Sequence, residues 1–200
     1  MTASKSQKKL QKRRSIIEAA VKVFAQKGFY NAKVTDVARQ AGVADGTIYL
    51  YFKNKDDLLI SLFEDKMELI LQRFHSRLHE ITDPLDKLKE MIDVYFELIE
   101  EDKDLADVFQ VELRQSTKFL KDYHNEKFLN YLNMIADIIY HGIDYGFFRS
   151  EVNVHVVKIM IFGALDELAR QWILGADDKY NLEQAKEEVK QILVSGLIKF

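Results

Sequence analysis

Cysteine is absent from the chain and proline occurs once in 200 residues. The first absence excludes disulfides, thiol nucleophiles and cysteine-held zinc. The second, with only eight glycines, removes the frequent turns that a protein of many short strands requires. No apolar run approaches the length of about 18 residues that a membrane-spanning helix needs, and residues 1–15 are polar and basic where a signal peptide would be apolar. The chain is expected to be all-α and cytoplasmic, with no membrane contact.

Catalytic patterns are missing too. His75 and His79 are spaced i, i+4 but are separated by Ser-Arg-Leu, without the glutamate of a zinc hydrolase. No Glu-x-x-His occurs, so a di-iron helical bundle lacks its usual ligands. Gly142, Gly146 and Gly163 belong to no phosphate loop or nucleophile elbow. Asp137 with His141, and Glu151 near His155, have the spacing of surface pairs. The expectation is no enzyme, no catalytic residue, no metal and no cofactor.

What is present is 48% apolar residues, enough for a sizeable core in one large domain or two small ones, and an uneven charge. Residues 1–55 carry twelve Lys/Arg against Glu18, Asp36 and Asp45, a net +9; the remainder carries 17 against 29 acids, a net −12. A basic head on an acidic body favours a polyanion at one end only. Within that head the stretch Val34–Phe52, VTDVARQAGVADGTIYLYF, has the pattern of a short helix, a turn and a second short helix. Val37 and Ala38 give the first a buried face, Gly42 supplies the positive φ of a tight turn, and Val43 plugs the corner. Ile48 and Phe52, at i and i+4, bury one side of the second helix. Asp45, Gly46, Thr47, Tyr49, Leu50 and Tyr51 then project elsewhere, a set suited to a major groove, where hydroxyls meet phosphates and apolar atoms meet thymine methyls. This predicts a helix-turn-helix in residues 1–53, with double-stranded DNA as its partner, and a regulatory body in 54–200.

Around that element nine helices are expected. Helix 1 carries Lys8, Lys9, Lys12, Arg13 and Arg14 at its start and Ile16, Ile17, Ala20, Val21 and Phe24 inward, and stops at Gly28. Asn54 caps helix 4, which continues from about Lys55 to Ile81 without Gly or Pro. Asp83 and Pro84 start helix 5 as cap and first residue. Helix 6 is expected over Leu105–Arg114, helix 7 over Thr117–Tyr145, helix 8 after Asn153, and helix 9 after Asn181 with Gln184 as a capping box.

The basic first helix, the stretch AGVADGTIYLYFKNKDDLL and six longer helices behind it resemble the TetR family of bacterial transcriptional regulators. The resemblance implies that Thr47, Tyr49, Tyr51 and Lys55 hold phosphates, that Asp45, Gly46 and Leu50 lie nearest the bases, and that Lys33 and Thr35 at the start of helix 2 belong to the same surface. Lys33 replaces the threonine that usually caps helix 2, and Ala44 replaces a serine or threonine at helix 3. Asp45 is therefore expected to cap helix 3, the alternative being a contact to a cytosine amino group. Within the family the chain is most similar to repressors of fatty-acid degradation, which implies a homodimer released from palindromic operators by long-chain acyl-CoA.

For such an effector the body must offer an apolar slot and cations at its mouth. Slot candidates are Phe96, Ile99, Phe109, Leu113, Phe128, Tyr131, Phe162 and Trp172; mouth candidates are Arg73, Arg77, Arg114, Lys118 and Lys121. Plain core packing for the aromatics and a solvated face for the cations are the competing readings. Helices 8 and 9, whose apolar stripes exceed what a thin bundle covers, are expected to form the dimer. Two alternatives stay open. A multidrug-responsive repressor would take a hydrophobic cation, with Asp166 and Glu167 as its acids; a helical lipid carrier or enzyme would have no DNA role.

Overall fold

A computed structural model describes residues 5–112, 126–175 and 180–199. Among them the chain forms nine α-helices: α1 (Lys5–Lys27), α2 (Val34–Gln40), α3 (Asp45–Ile48), α4 (Lys55–Leu78), α5 (Pro84–Glu101), α6 (Lys103–Asp107), α7 (Glu126–Asp144), α8 (Val154–Ile173) and α9 (Leu182–Leu197). A π-helical turn, Val108–Glu112, follows α6 directly. The described residues contain no strand, only one antiparallel bridge between Phe148 and Ile198. The all-α expectation holds.

The caps explain most of the boundaries. The Asn54 carboxamide oxygen accepts the Asp57 amide at 2.8 Å. Asp83 accepts the amides of Leu85 and Asp86 with Pro84 at the first position, and Asn153 accepts those of His155 and Val156. Asn181 accepts the Gln184 amide, but the Gln184 side chain turns forward to Glu188, so only half of the expected capping box forms. Helix 6 differs from expectation: it is a single α-turn that widens into the π-turn by Val108, whose side chain is fully buried. The first part of the expected helix 7 lies outside the described residues.

The helices divide into two compact units. One comprises α1–α3, α4 as far as Lys66, and the chain from Asp104 through the π-turn. Here α1 packs on α2 and on the π-turn, and α2 packs on α3. Ile16, Ala20, Phe24, Val37, Ala38, Ile48, Phe52, Leu58 and Leu62 are buried together in this unit. Phe24 meets Phe29 edge-on at 5.3 Å, and the Arg13 guanidinium lies over the Phe52 ring at 5.5 Å while also pairing with Asp65.

The other unit comprises α4 from Met67, α5, and α7–α9. Its α5 packs on α7, α8 and α9, and α8 packs on α7 and α9. Ile92, Phe96, Ile135, Ile139, Ile161, Leu165 and Ala169 are buried. Gly142 is required by close approach: a Cβ there would lie 1.9 Å from the buried Phe148 ring. Asp93 on α5 draws Lys186 and Lys190 of α9 onto itself.

Candidate DNA-binding and ligand sites

The helix-turn-helix is assembled by backbone bonds around one glycine. Ala41 donates to the Val37 carbonyl at 2.9 Å, Gly42 to Arg39 at 3.2 Å and Val43 to Ala38 at 3.0 Å. Gly42 sits at φ +65°, the left-handed region in which a β-carbon is unfavourable. Lys33 occupies the cap position of α2 in extended conformation. A lysine side chain has no acceptor, so the cap works in reverse: Asp36 reaches back and accepts the Lys33 amide at 3.0 Å. Asp36 also pairs with Lys27 at 2.8 Å. That ammonium first, then the Lys33 amide, holds the Asp36 carboxyl below the usual carboxylate range.

The second helix is shorter than its sequence pattern. After one α-turn the backbone tightens, with Leu50 donating to Thr47 and Tyr51 to Ile48. Ile48 and Phe52 are 1% and 2% exposed, as the i, i+4 spacing requires, whereas Tyr49 is 58% and Leu50 76% exposed. Asp45 and Gly46 are also exposed, Thr47 and Tyr51 half-buried, and Thr35 exposed at the start of α2. The residue at the cap of α3 is Ala44, with no side-chain hydrogen bond, and Asp45 stands one position inside the helix. The expected Asp45 cap is therefore corrected, since its carboxylate caps no amide and faces solvent.

Lys55 is also placed differently from expectation. Its ammonium donates to the carbonyls of Phe29 at 2.6 Å, Tyr30 at 3.2 Å and Ala32 at 3.0 Å, and lies 4.5 Å from the Phe29 ring centre. All three donors are engaged with the loop between α1 and α2. This lysine ties that loop to the start of α4 rather than offering free donors to a phosphate.

In the second unit, the expected mouth cations Arg73 and Arg77 are turned onto α5. Arg77 holds Glu90 at 2.5 Å and Glu97 at 2.8 Å, and Arg73 holds Glu101 at 3.1 Å. Hydrogen bonds from Arg77 keep the Glu97 carboxyl below its ordinary range, and Glu97 in turn raises the Arg77 guanidinium. Both guanidiniums are thus paired with α5 carboxylates rather than standing unpartnered at a mouth. Leu113, Arg114, Lys118 and Lys121 lie outside the described residues.

The aromatic candidates separate into groups. Phe128 and Tyr131 of α7 meet Phe162 of α8 at 5.1 and 6.2 Å, and Tyr131 also meets Phe74 of α4 at 5.5 Å. Phe96 and Ile99 are buried on α5. Trp172 lies under the Lys103 ammonium at 4.4 Å. Phe109 belongs to the other unit, against Phe63 at 5.1 Å. Phe74 and Lys103 join these aromatic groups without having been expected there. The i, i+4 rhythm marks Phe74 only as an inward position of α4, and no local signal links Lys103 to Trp172. Glu167, one of the acids considered for a cationic ligand, is held by Arg170 at 2.8 Å and Gln171 at 2.7 Å, and Asp166 is buried. His75 and His79 stack and His79 lies 3.6 Å from Glu80, but no group of three metal-ligating side chains occurs among the described residues.

A basic three-helix unit with a glycine-turned recognition element, followed by a larger helical unit with an aromatic cluster, defines a helix-turn-helix regulator. The chain belongs to the TetR family: the model for bacterial regulatory proteins of the tetR family matches residues 16–62, and that for the YsiA-like protein C-terminal region matches residues 63–196. It is 43% identical over 182 residues to the fatty acid metabolism regulator protein of Bacillus subtilis (strain 168), spanning 91% of this chain and 93% of that protein. The structure of FadR from Bacillus subtilis in complex with stearoyl-CoA matches with a TM-score of 0.85 at 43% identity, over 92% of this chain and 98% of the other. FadR from Bacillus halodurans, a fatty acid degradation regulator, matches with a TM-score of 0.86 at 42% identity, over 92% and 95%. These relatives are transcriptional regulators, and the chain belongs with them rather than with helical enzymes. No helix among the described residues is long and apolar enough to cross a membrane.

Proposed function

We propose that the chain is a cytoplasmic, homodimeric repressor of fatty-acid degradation genes that binds palindromic operators and is released by long-chain acyl-CoA. The observation that carries this reading is that similarity to a regulator seen with stearoyl-CoA extends over both units rather than over the DNA-binding helices alone. DNA binding is assigned to residues 1–53 and ligand binding with dimerisation to 54–200. Asp45, Gly46 and Leu50 face the bases, while Thr35, Thr47, Tyr49 and Tyr51 take phosphates, with Lys33 at the edge of the same surface. Lys55 supports this surface through the loop it ties. The acyl slot is assigned to Phe128, Tyr131 and Phe162 with Phe74, and Phe96 and Ile99 support it from α5.

The dimer face is assigned to α8 and α9. Val156, Ile159 and Met160 are 53%, 51% and 61% exposed, and with Gly163 they make an i, i+3, i+4, i+7 stripe on the side of α8 opposite its buried residues. Ile192 on α9 is 69% exposed, and nothing crowds Gly163 or Gly196, so two helices can approach closely there. In a two-fold dimer the recognition elements should stand about 34–36 Å apart to enter successive major grooves.

A gel shift on palindromic promoter DNA from fatty-acid-oxidation genes tests the reading. The expected result is binding whose affinity falls with salt by roughly 0.9 logarithmic units per phosphate contact, and release by long-chain acyl-CoA but not by free CoA. Release by hydrophobic cations instead would indicate a multidrug regulator, and absence of DNA binding would overturn the proposal.

A further inference from the structure

Tyr131 is 4% exposed, and its hydroxyl oxygen is out of solvent with no hydrogen-bond partner among the described residues. The Tyr131 ring packs on those of Phe74, Phe162 and Phe128, with ring centres 5.5, 6.2 and 6.5 Å away. A buried hydroxyl without a partner is destabilising, and phenylalanine would fill the same space without that cost. The other three members of the cluster are in fact phenylalanine. Burial also pushes the phenol upward, so the group stays a protonated donor at neutral pH.

We propose that the ligand completes Tyr131: its hydroxyl donates a hydrogen bond to the thioester carbonyl oxygen of a bound acyl-CoA and thereby fixes how far the acyl chain enters the cluster. This rests on the acyl-CoA reading above. The thioester carbonyl is the acceptor joined directly to the acyl chain; the pantetheine amides lie farther out, and the CoA phosphates carry charge that requires cations and water. Chain length would then be measured from an anchored carbonyl, which makes Tyr131 a specificity determinant rather than one more apolar wall.

The test uses full-length, ligand-free protein titrated with stearoyl-CoA and with S-octadecyl-CoA, a thioether that keeps the chain and CoA but replaces the carbonyl by a methylene. Wild type should prefer the thioester by about tenfold, the value of one net hydrogen bond in a buried site. Tyr131→Phe should bind both compounds equally, at the wild-type affinity for the thioether, with a thermal midpoint in the absence of ligand that is unchanged or higher. A thioester preference that survives in Tyr131→Phe, or a lowered midpoint, would overturn the inference. Equal binding of both compounds by wild type would overturn it while leaving the acyl-CoA reading intact. Failure of wild type to bind either compound would remove that reading and the inference with it.

Discussion

Lys55 and Tyr49 lie six residues apart in the sequence, yet the first is tied into the fold and the second stands in solvent. Replacing Lys55 by methionine leaves three carbonyls of the α1–α2 loop without their donor and should destabilise the fold by about 1–3 kcal/mol. Tyr49→Phe removes an exposed hydroxyl and should leave stability unchanged while weakening operator binding about tenfold. Urea unfolding beside a DNA titration separates the two, and an unaltered urea midpoint for Lys55→Met would contradict its role as a tie. The sequence shows why Lys55 was misplaced. A lysine beside a helix N-terminus is equally suited to an anion and to carbonyl oxygens, and the choice depends on where the Phe29–Ala32 loop passes. Tyr131 has the same character: spacing marks it as inward, but only the fold surrounds it with Phe74 and Phe162. Arg73 and Arg77 illustrate a third case. Their carboxylate partners on α5 are Glu90, Glu97 and Glu101, and this pairing becomes visible only when the two helices are set side by side.

At the level of elements, local chemistry was legible wherever a side chain bonds its own neighbours. Asn54, Asp83 and Asn153 cap the helices their positions announced. The limits of α6 were not legible, because the widening at Val108 coincides with its burial in the unit that holds α1, a contact distant in sequence. The stripe on α8 was legible as apolar, but its division into a buried side and an exposed side was not. Placing a charge on the exposed side, as in Met160→Glu, should convert the dimer to monomers with little loss of helix content. Sedimentation of wild type and variant checks this, and an unchanged mass would exclude this face. The link between α4 and α5 should respond to acid. The Glu97 pKa lies below its ordinary 4.5 in the folded protein, so its pairing stabilises the fold above that pH. The contribution should be lost as pH falls through the lower folded value. Arg77→Gln should therefore flatten the decline of the urea midpoint below about pH 4.5 relative to wild type. Parallel curves would rule out this pair as a source of acid sensitivity.

For the whole molecule, the course of α4 matters most. It continues from Lys55 to Leu78 without interruption, contributing its first half to one unit and its second half to the other. If acyl-CoA binds the two states of the dimer unequally, a coupling of about 1–3 kcal/mol should lower operator affinity about 5- to 150-fold. The same linkage requires operator DNA to weaken acyl-CoA binding by an equal factor, which calorimetry with and without DNA can measure. A factor of one in both titrations would rule out coupling between the two sites. A different consequence follows from the recognition turn. Ile48 and Phe52 carry its packing, while Asp45, Gly46, Tyr49 and Leu50 stand in solvent. On the proposed assignment, foldedness and address are written on different side chains, so a duplicated gene can drift toward new operators one substitution at a time without an unfolded ancestor on the way. A library randomised at those four positions is accordingly a direct route to retargeted sensors.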